Sequence, residues 1–202
     1  MPVLSTAERL KVTDMKSILQ TAFNETIFKY SLILNNYYPA HKSTGFTERN
    51  LTTNFVSALE EQLGKQAFAW YEAPLHTEEK LHLDAVVFDK NTSSCFLIES
   101  KRFSNLKSKI AQTKHDIERM SHQVHHETLE RGLRDFKIEH RYAVVLVDIW
   151  TEGTEKTNTY LAWPKCLGDE NHIVDCKSGF ESLVTDKEWK HNYKIMMAVK
   201  KL

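Results

Sequence analysis

Apolar positions recur at helical spacing along residues 14–38, where Met15, Ile18, Leu19, Ala22 and Phe23 lead into Ile27, Tyr30, Leu34 and Tyr37. The stripe predicts one long helix, closed by Pro39, which cannot donate a backbone hydrogen bond. A second helix is predicted from about Glu48 to Leu63, with the stripe Leu51, Phe55, Leu59 and Leu63, Thr47 as N-cap and Gly64 as stop. The apolar runs then shorten, and AFAWYEA (67–73), LHLDAVVFD (81–89) and SCFLIESKR (94–102) read as strands. Leu106, Ile110, Ile117, Met120 and Val124 restore the helical period over about 105–131. RYAVVLVDIW (141–150) is apolar on both faces and reads as a central strand. TYLAWP (159–164) reads as a fifth strand ending at Pro164, and the tail suggests a helix near 180–190, then YKIMMAV as helix or strand. Helix, helix, three strands, helix and two strands predict an α/β fold, a mixed sheet with helices on both faces. With no repeat or Pro/Gly/Ser-rich linker, residues 1–202 read as a single domain.

Composition narrows the partners. The 202 residues carry 27 Lys+Arg against 27 Asp+Glu, so no global basic field advertises nucleic acid, and any such partner needs a local patch. Three cysteines (Cys95, Cys166, Cys176) without CxxC spacing argue against a disulfide framework or zinc knuckle. No basic-then-apolar leader opens the chain and no apolar run approaches about 18 residues, so a cytoplasmic setting without membrane contact is expected. Walker A, GxGxxG and GxSxG motifs are absent, which leaves a nucleotide cofactor and serine-hydrolase chemistry unsupported.

The stretch LHLDAVVFDKNTSSCFLIESKR, residues 81–102, is anomalous for a hairpin. With its turn between Asn91 and Thr92, Phe88 faces Cys95, Val86 faces Leu97, Asp84 faces Glu99 and His82 faces Lys101, all on one side of the sheet. Leu83, Ala85 and Val87 then share the other side with Ser100, Ile98 and Phe96. Carboxylates so opposed lie about 5 Å apart at Cβ, and at an effective dielectric of about 20 they repel by about 3 kcal/mol. Lys101 offsets one charge, and a divalent metal offsets two. Mg²⁺ or Mn²⁺ suits the pair, because such ions are held by one or two carboxylates and leave positions to water and phosphate. The competing account is a plain salt bridge of Lys101 with Glu99 or Asp84.

Asp84, then residues 85–98, then Glu99-Ser100-Lys101 on the next strand resembles the PD-(D/E)xK nuclease superfamily, with Leu83 where the family usually has proline. The resemblance implies a restriction-endonuclease-like three-layer fold, a mixed central sheet flanked by helices. Its helix, three antiparallel strands, helix and strand match residues 48–150, and with the next strand the core is about 48–164 behind a helical N-terminal extension at 1–47. It implies metal-dependent phosphodiester hydrolysis, of DNA as an endonuclease. Asp84, Glu99 and the Ser100 carbonyl would hold Mg²⁺ or Mn²⁺, and Lys101 would orient or help deprotonate the attacking water. Glu48, on the helix face of Leu51 and Phe55, would be a third catalytic acid, or else a charge complementing the helix dipole. Arg102, Lys107, Lys109, Gln112 and Lys114 would contact the nucleic acid, although a run of lysines is also what any exposed helix carries. A homodimer would suit double-strand cutting, and the apolar helix at 14–38 would either serve it or pack on its own core.

The alternative is a catalytically silent protein with this fold, acting as a nucleic-acid- or protein-binding module. His115, His122, His125 and His126 crowd one predicted helix, and His122 with His126 has metal-binding spacing. HETLE is not HExxH, so a solvated helix face is the better account. The aromatic residues show no clustering of a base-stacking surface.

Overall fold

The computed structural model describes residues 6–39, 47–76, 81–168, 171–185 and 187–202. The elements are α1 (Thr6–Leu34), α2 (Glu48–Leu63), β1 (Ala67–His76), β2 (Leu81–Asp89), β3 (Ser94–Arg102), α3 (Leu106–Ser121), α4 (Gln123–Glu130), β4 (His140–Trp150), α5 (Thr154–Leu161), β5 (His172–Gly179) and β6 (Tyr193–Lys201). The strands form one sheet in the order β1-β2-β3-β4-β6-β5. Only β3 and β4 run parallel, joined by α3 and α4, and the other neighbours are antiparallel.

Two cores sandwich this sheet, as expected of a three-layer α/β fold. On one face Phe23 and Tyr30 of α1 and Phe55 and Leu59 of α2 pack with Val87, Phe96, Ile98, Val144 and Met197. On the other, Ile117 and Met120 of α3 and Leu129 of α4 pack with Val86, Phe88, Leu97, Val145 and Met196. The α1 stripe is therefore spent on its own core, while Phe28 and Leu32 stay exposed. Among the described residues no helix is long and apolar enough to cross a membrane.

Several expectations need correction. The helix at 105–131 is broken at His122, whose extended backbone (φ −78°, ψ 125°) ends α3 and starts α4. Rings from the second piece hold the break, since His125 Nδ1 meets the Arg119 carbonyl at 2.7 Å and His126 Nε2 meets that of Met120 at 2.6 Å. TYLAWP is not a strand: α5 covers Thr154–Leu161 after Gly153, whose φ of 86° suits a residue without Cβ. Only a 3₁₀ turn, Glu188–His191, stands in the region expected to be a helix. YKIMMAV resolves as β6, wedged between β4 and the unforeseen β5. A strand flanked on both sides and buried on both faces carries no alternation, so periodicity could not classify it.

The β2–β3 register agrees with the sequence reading from Ala85↔Ile98 to Asp89↔Ser94. Its turn is locked by Asp89, whose carboxylate accepts from Asn91 N (3.1 Å), Thr92 N (3.2 Å) and Thr92 Oγ1 (2.5 Å). Beyond Ala85 the ladder stops, and the expected pairs Asp84–Glu99 and His82–Lys101 do not form. Alternation itself breaks there, because Leu83 joins the α3-side core while Ala85 and Val87 join the α2-side core. The break coincides with Glu72 on β1, between the pairs Tyr71↔Ala85 and Ala73↔Leu83, in a left-handed conformation with φ of 52°.

Candidate active site

The site lies where β2 and β3 part. Free of ladder duty, Asp84 turns its carboxylate towards β3 and accepts from Ser100 N at 2.7 Å. On the α2 side, the Ser100 and Thr52 hydroxyls share a hydrogen bond of 2.7 Å. Glu48, at the first turn of α2, accepts from Arg102 N at 2.8 Å and has Lys109 Nζ at 3.6 Å. Ser100 and Arg102 of β3 thus answer to partners on α2 and β2, which ties the helix N-terminus to the strand split.

Glu99 and Lys101 point to the opposite face, where α3 meets them. Lys101 Nζ lies 2.9 Å from both Glu99 Oε2 and Asp116 Oδ2. Arg119 completes the group, 2.5 Å from Asp116 Oδ1 and 3.6 Å from Glu99 Oε1. Two anions and two cations so arranged are neutral as a set, and all four side chains are largely buried. Asp116 and Arg119 were missed in the sequence. A signal was available, because Asp116 shares the buried face of α3 with Thr113, Ile117 and Met120, where an acid needs a partner.

Burial pushes the Glu99 carboxyl up to about 7; Lys101 opposes the shift, and the Asp84 and Asp116 charges add to it. Asp84 is raised too, by burial first, against the Ser100 N–H and Lys101 and with the help of Glu48 and Glu72. Asp84 therefore lies within electrostatic reach of Glu48, Glu72 and Glu99. Burial would lower the Lys101 ammonium, yet Glu99 and Asp116 outweigh it and hold Lys101 above its ordinary range. That makes Lys101 a fixed cation rather than a base.

Two clefts flank the split. One, of about 520 Å³, is lined on the α2 side by Glu48, Arg49, Thr52, Tyr71, Glu72 and Asp84. The other, of about 450 Å³, is lined on the α3 side by Lys101, Ala111, Gln112, His115 and Asp116. Asp84 and Lys101 thus open onto different clefts.

The residues proposed for nucleic acid sit in unlike surroundings. Lys107 and Lys114 are exposed and Gln112 lines the Lys101 cleft, while Lys109 is half-buried beside Glu48. Arg102 behaves differently, giving Nε (2.9 Å) and a terminal nitrogen (2.7 Å) to Oδ2 of the buried Asp148, which also accepts from Tyr193 OH at 3.1 Å. Asp148, the one acid within RYAVVLVDIW, is a third missed residue. The histidine spacing carries no metal site, since His125 and His126 serve the α3–α4 break. Among the described residues, no group of three or more His, Cys, Asp and Glu is placed to hold a metal ion.

Compared with known proteins, the chain matches no family model, no curated protein and no solved structure. Function is therefore read from the site's own geometry.

Proposed function

We propose that the protein is a metal-dependent phosphodiester hydrolase, a DNA endonuclease on a restriction-endonuclease-like version of the three-layer fold. The carrying observation is the strand split, which turns Asp84 onto Ser100 N–H and leaves it within electrostatic reach of Glu99, beside a lysine held charged. Both carboxyls are raised by burial and by neighbouring negative charge, a strain that a hard divalent cation relieves. Asp84 and Glu99 open from opposite sides of the split; brought together with the Ser100 carbonyl, they would be an all-oxygen set that suits Mg²⁺ or Mn²⁺.

Held there, such an ion would supply an acidified water and would neutralise charge at the phosphoryl oxygens. Lys101, kept protonated by Glu99 and Asp116, orients that water and stabilises charge developing at phosphorus; it does not remove the proton. Glu48, anchored through Arg102 N–H and lining the α2-side cleft, would hold a second water or cation. Lys107, Lys109, Gln112 and Lys114 meet the DNA backbone, and Arg102 is left out because its guanidinium is committed to Asp148. A homodimer, pairing two such sites, would cut both strands.

Supercoiled plasmid with Mg²⁺ or Mn²⁺ tests the reading. The wild type is expected to nick or linearise it, and EDTA, Asp84→Asn or Glu99→Gln to stop the reaction. A second reading, a silent binding module, is favoured by one observation: Glu99, Asp116, Lys101 and Arg119 neutralise one another without metal. Intact plasmid under every condition, together with a gel shift that EDTA does not alter, would select it.

A further inference from the structure

The four-charge cluster contains more than the proposed hydrolysis uses. Glu99 and Lys101 have roles in that reading, whereas Asp116 and Arg119 have none. Neither is a generic surface charge: the Asp116 and Arg119 side chains are 10% and 16% exposed. The contacts are also unequal. Arg119 grips Asp116 at 2.5 Å but reaches Glu99 Oε1 only at 3.6 Å, and its buried Nε meets no hydrogen-bond acceptor among the described residues. Lys101 Nζ lies 2.9 Å from both Glu99 and Asp116, but only the Glu99 contact has hydrogen-bond geometry. Glu99 is therefore held firmly through Oε2 and loosely through Oε1, and the loosely held oxygen is the one free to turn to another cation.

We propose that Arg119 is the stand-in counter-ion of Glu99 Oε1 in the metal-free protein, and that Asp116 is a positioning residue that retains Arg119 and Lys101 when Glu99 turns to a divalent cation. This rests on the reading of Asp84 and Glu99 as metal ligands. A buried cation that loses its anion is strongly disfavoured, so without Asp116 both Lys101 and Arg119 have only Glu99 to pair with. They then compete with the metal for it. With Asp116 present, Arg119 yields Oε1 without being stranded.

The distinction from a simple field effect is sharp. If the two residues acted only as distant charges, their effects on metal binding would add and any cation at 119 would serve. If Asp116 restrains Arg119, removing the restraint enlarges the arginine's effect. The measurement is Mn²⁺ binding to the metal-free full chain, followed by the electron paramagnetic resonance of free Mn²⁺, at high enough salt to screen exposed charges. Asp116→Asn is expected to weaken binding about tenfold, and Arg119→Gln to tighten it about threefold, for charge changes at this range. In the Asp116→Asn background, Arg119→Gln is expected to tighten binding about tenfold, recovering most of the loss. One arginine nitrogen, Nη2, bridges both acids; Arg119→Lys keeps the charge on a shorter side chain that cannot span both, and is expected to resemble Arg119→Gln. It carries the test alone should Asp116→Asn fail to fold by circular dichroism.

Additive effects in the double-variant cycle, or wild-type affinity in Arg119→Lys, would overturn the proposal. The premise fails separately: if the wild type binds no Mn²⁺, or Glu99→Gln binds it as well as the wild type, the metal site falls and this inference with it. Glu99-dependent binding with additive effects removes the inference alone.

Discussion

Lys101 and Arg102 are neighbours in the chain, yet they belong to unlike environments. Alternation along β3 sends Arg102 to the α2 side, where Asp148 and the Tyr193 hydroxyl close around it. It sends Lys101 to the α3 side, where its ammonium is shared by two carboxylates and still lines a cleft. Both clusters are largely buried, charged and placed at the C-terminal end of β3. One closes on itself, as an element of structure does; the other opens to a cleft, as a site must. Basic residues in sequence are not a basic patch in space, because a strand changes face at every step.

The largest expected effect breaks the closed cluster. Asp148→Ala strands the half-buried Arg102 guanidinium and is expected to cost about 3–5 kcal/mol, or roughly 10 °C in Tm. Differential scanning calorimetry reads it. A fall of only a degree or two would mean that Arg102 is less dependent on Asp148 than the geometry indicates.

Lys101→Ala attacks the open cluster and should show the reverse balance. Plasmid cleavage is expected to drop roughly 10²–10³-fold, the effect of losing one electrostatic donor, with a smaller loss of Tm than in Asp148→Ala because Arg119 still faces both acids. Full cleavage by a folded Lys101→Ala protein would assign that activity to other residues and leave the lysine a structural role.

pH sharpens the contrast through Glu99. Its carboxyl rises from an ordinary 4.5 to about 7 in the folded protein. A raised acid favours the folded state while protonated; the contribution is complete below about pH 4.5 and is lost as pH climbs through about 7. Metal-free protein is therefore expected to lose stability across that window. Mg²⁺, which binds the ionised carboxylate, should add little to Tm at about pH 5 and progressively more towards about pH 8. An Mg²⁺ increment independent of pH would place the ion away from Glu99.

The smallest effects belong to the exposed lysines. Lys107→Gln and Lys114→Gln are each expected to weaken DNA binding only a few-fold and to reduce the salt dependence by about one counterion. Fluorescence anisotropy over a salt series measures both. An unchanged salt slope would remove that lysine from the DNA-facing set.

Much of the molecule was legible in the chain because it depends on local rules. Helical spacing located α2 and the body of α1, and the β2–β3 register followed, as far as Ala85, from a turn that Asp89 locks. The same logic that singled out Glu48 on an apolar helix face applied to Asp116, and Asp148 was the lone acid of an apolar strand. Tertiary structure decided the rest. No periodicity could tell that β6 would enter between β4 and β5, since strand order is set by long-range pairing. The kink at Glu72 and Asp84 depends on two strands departing from regular alternation together, and it re-aims the carboxylate that regular alternation would have set opposite Glu99. Arg119 meets Glu99 only because the α3 crossover lays its buried face over the end of β3. Local chemistry selected which residues carry charge; packing determined which of those charges are closed off and which face a cleft.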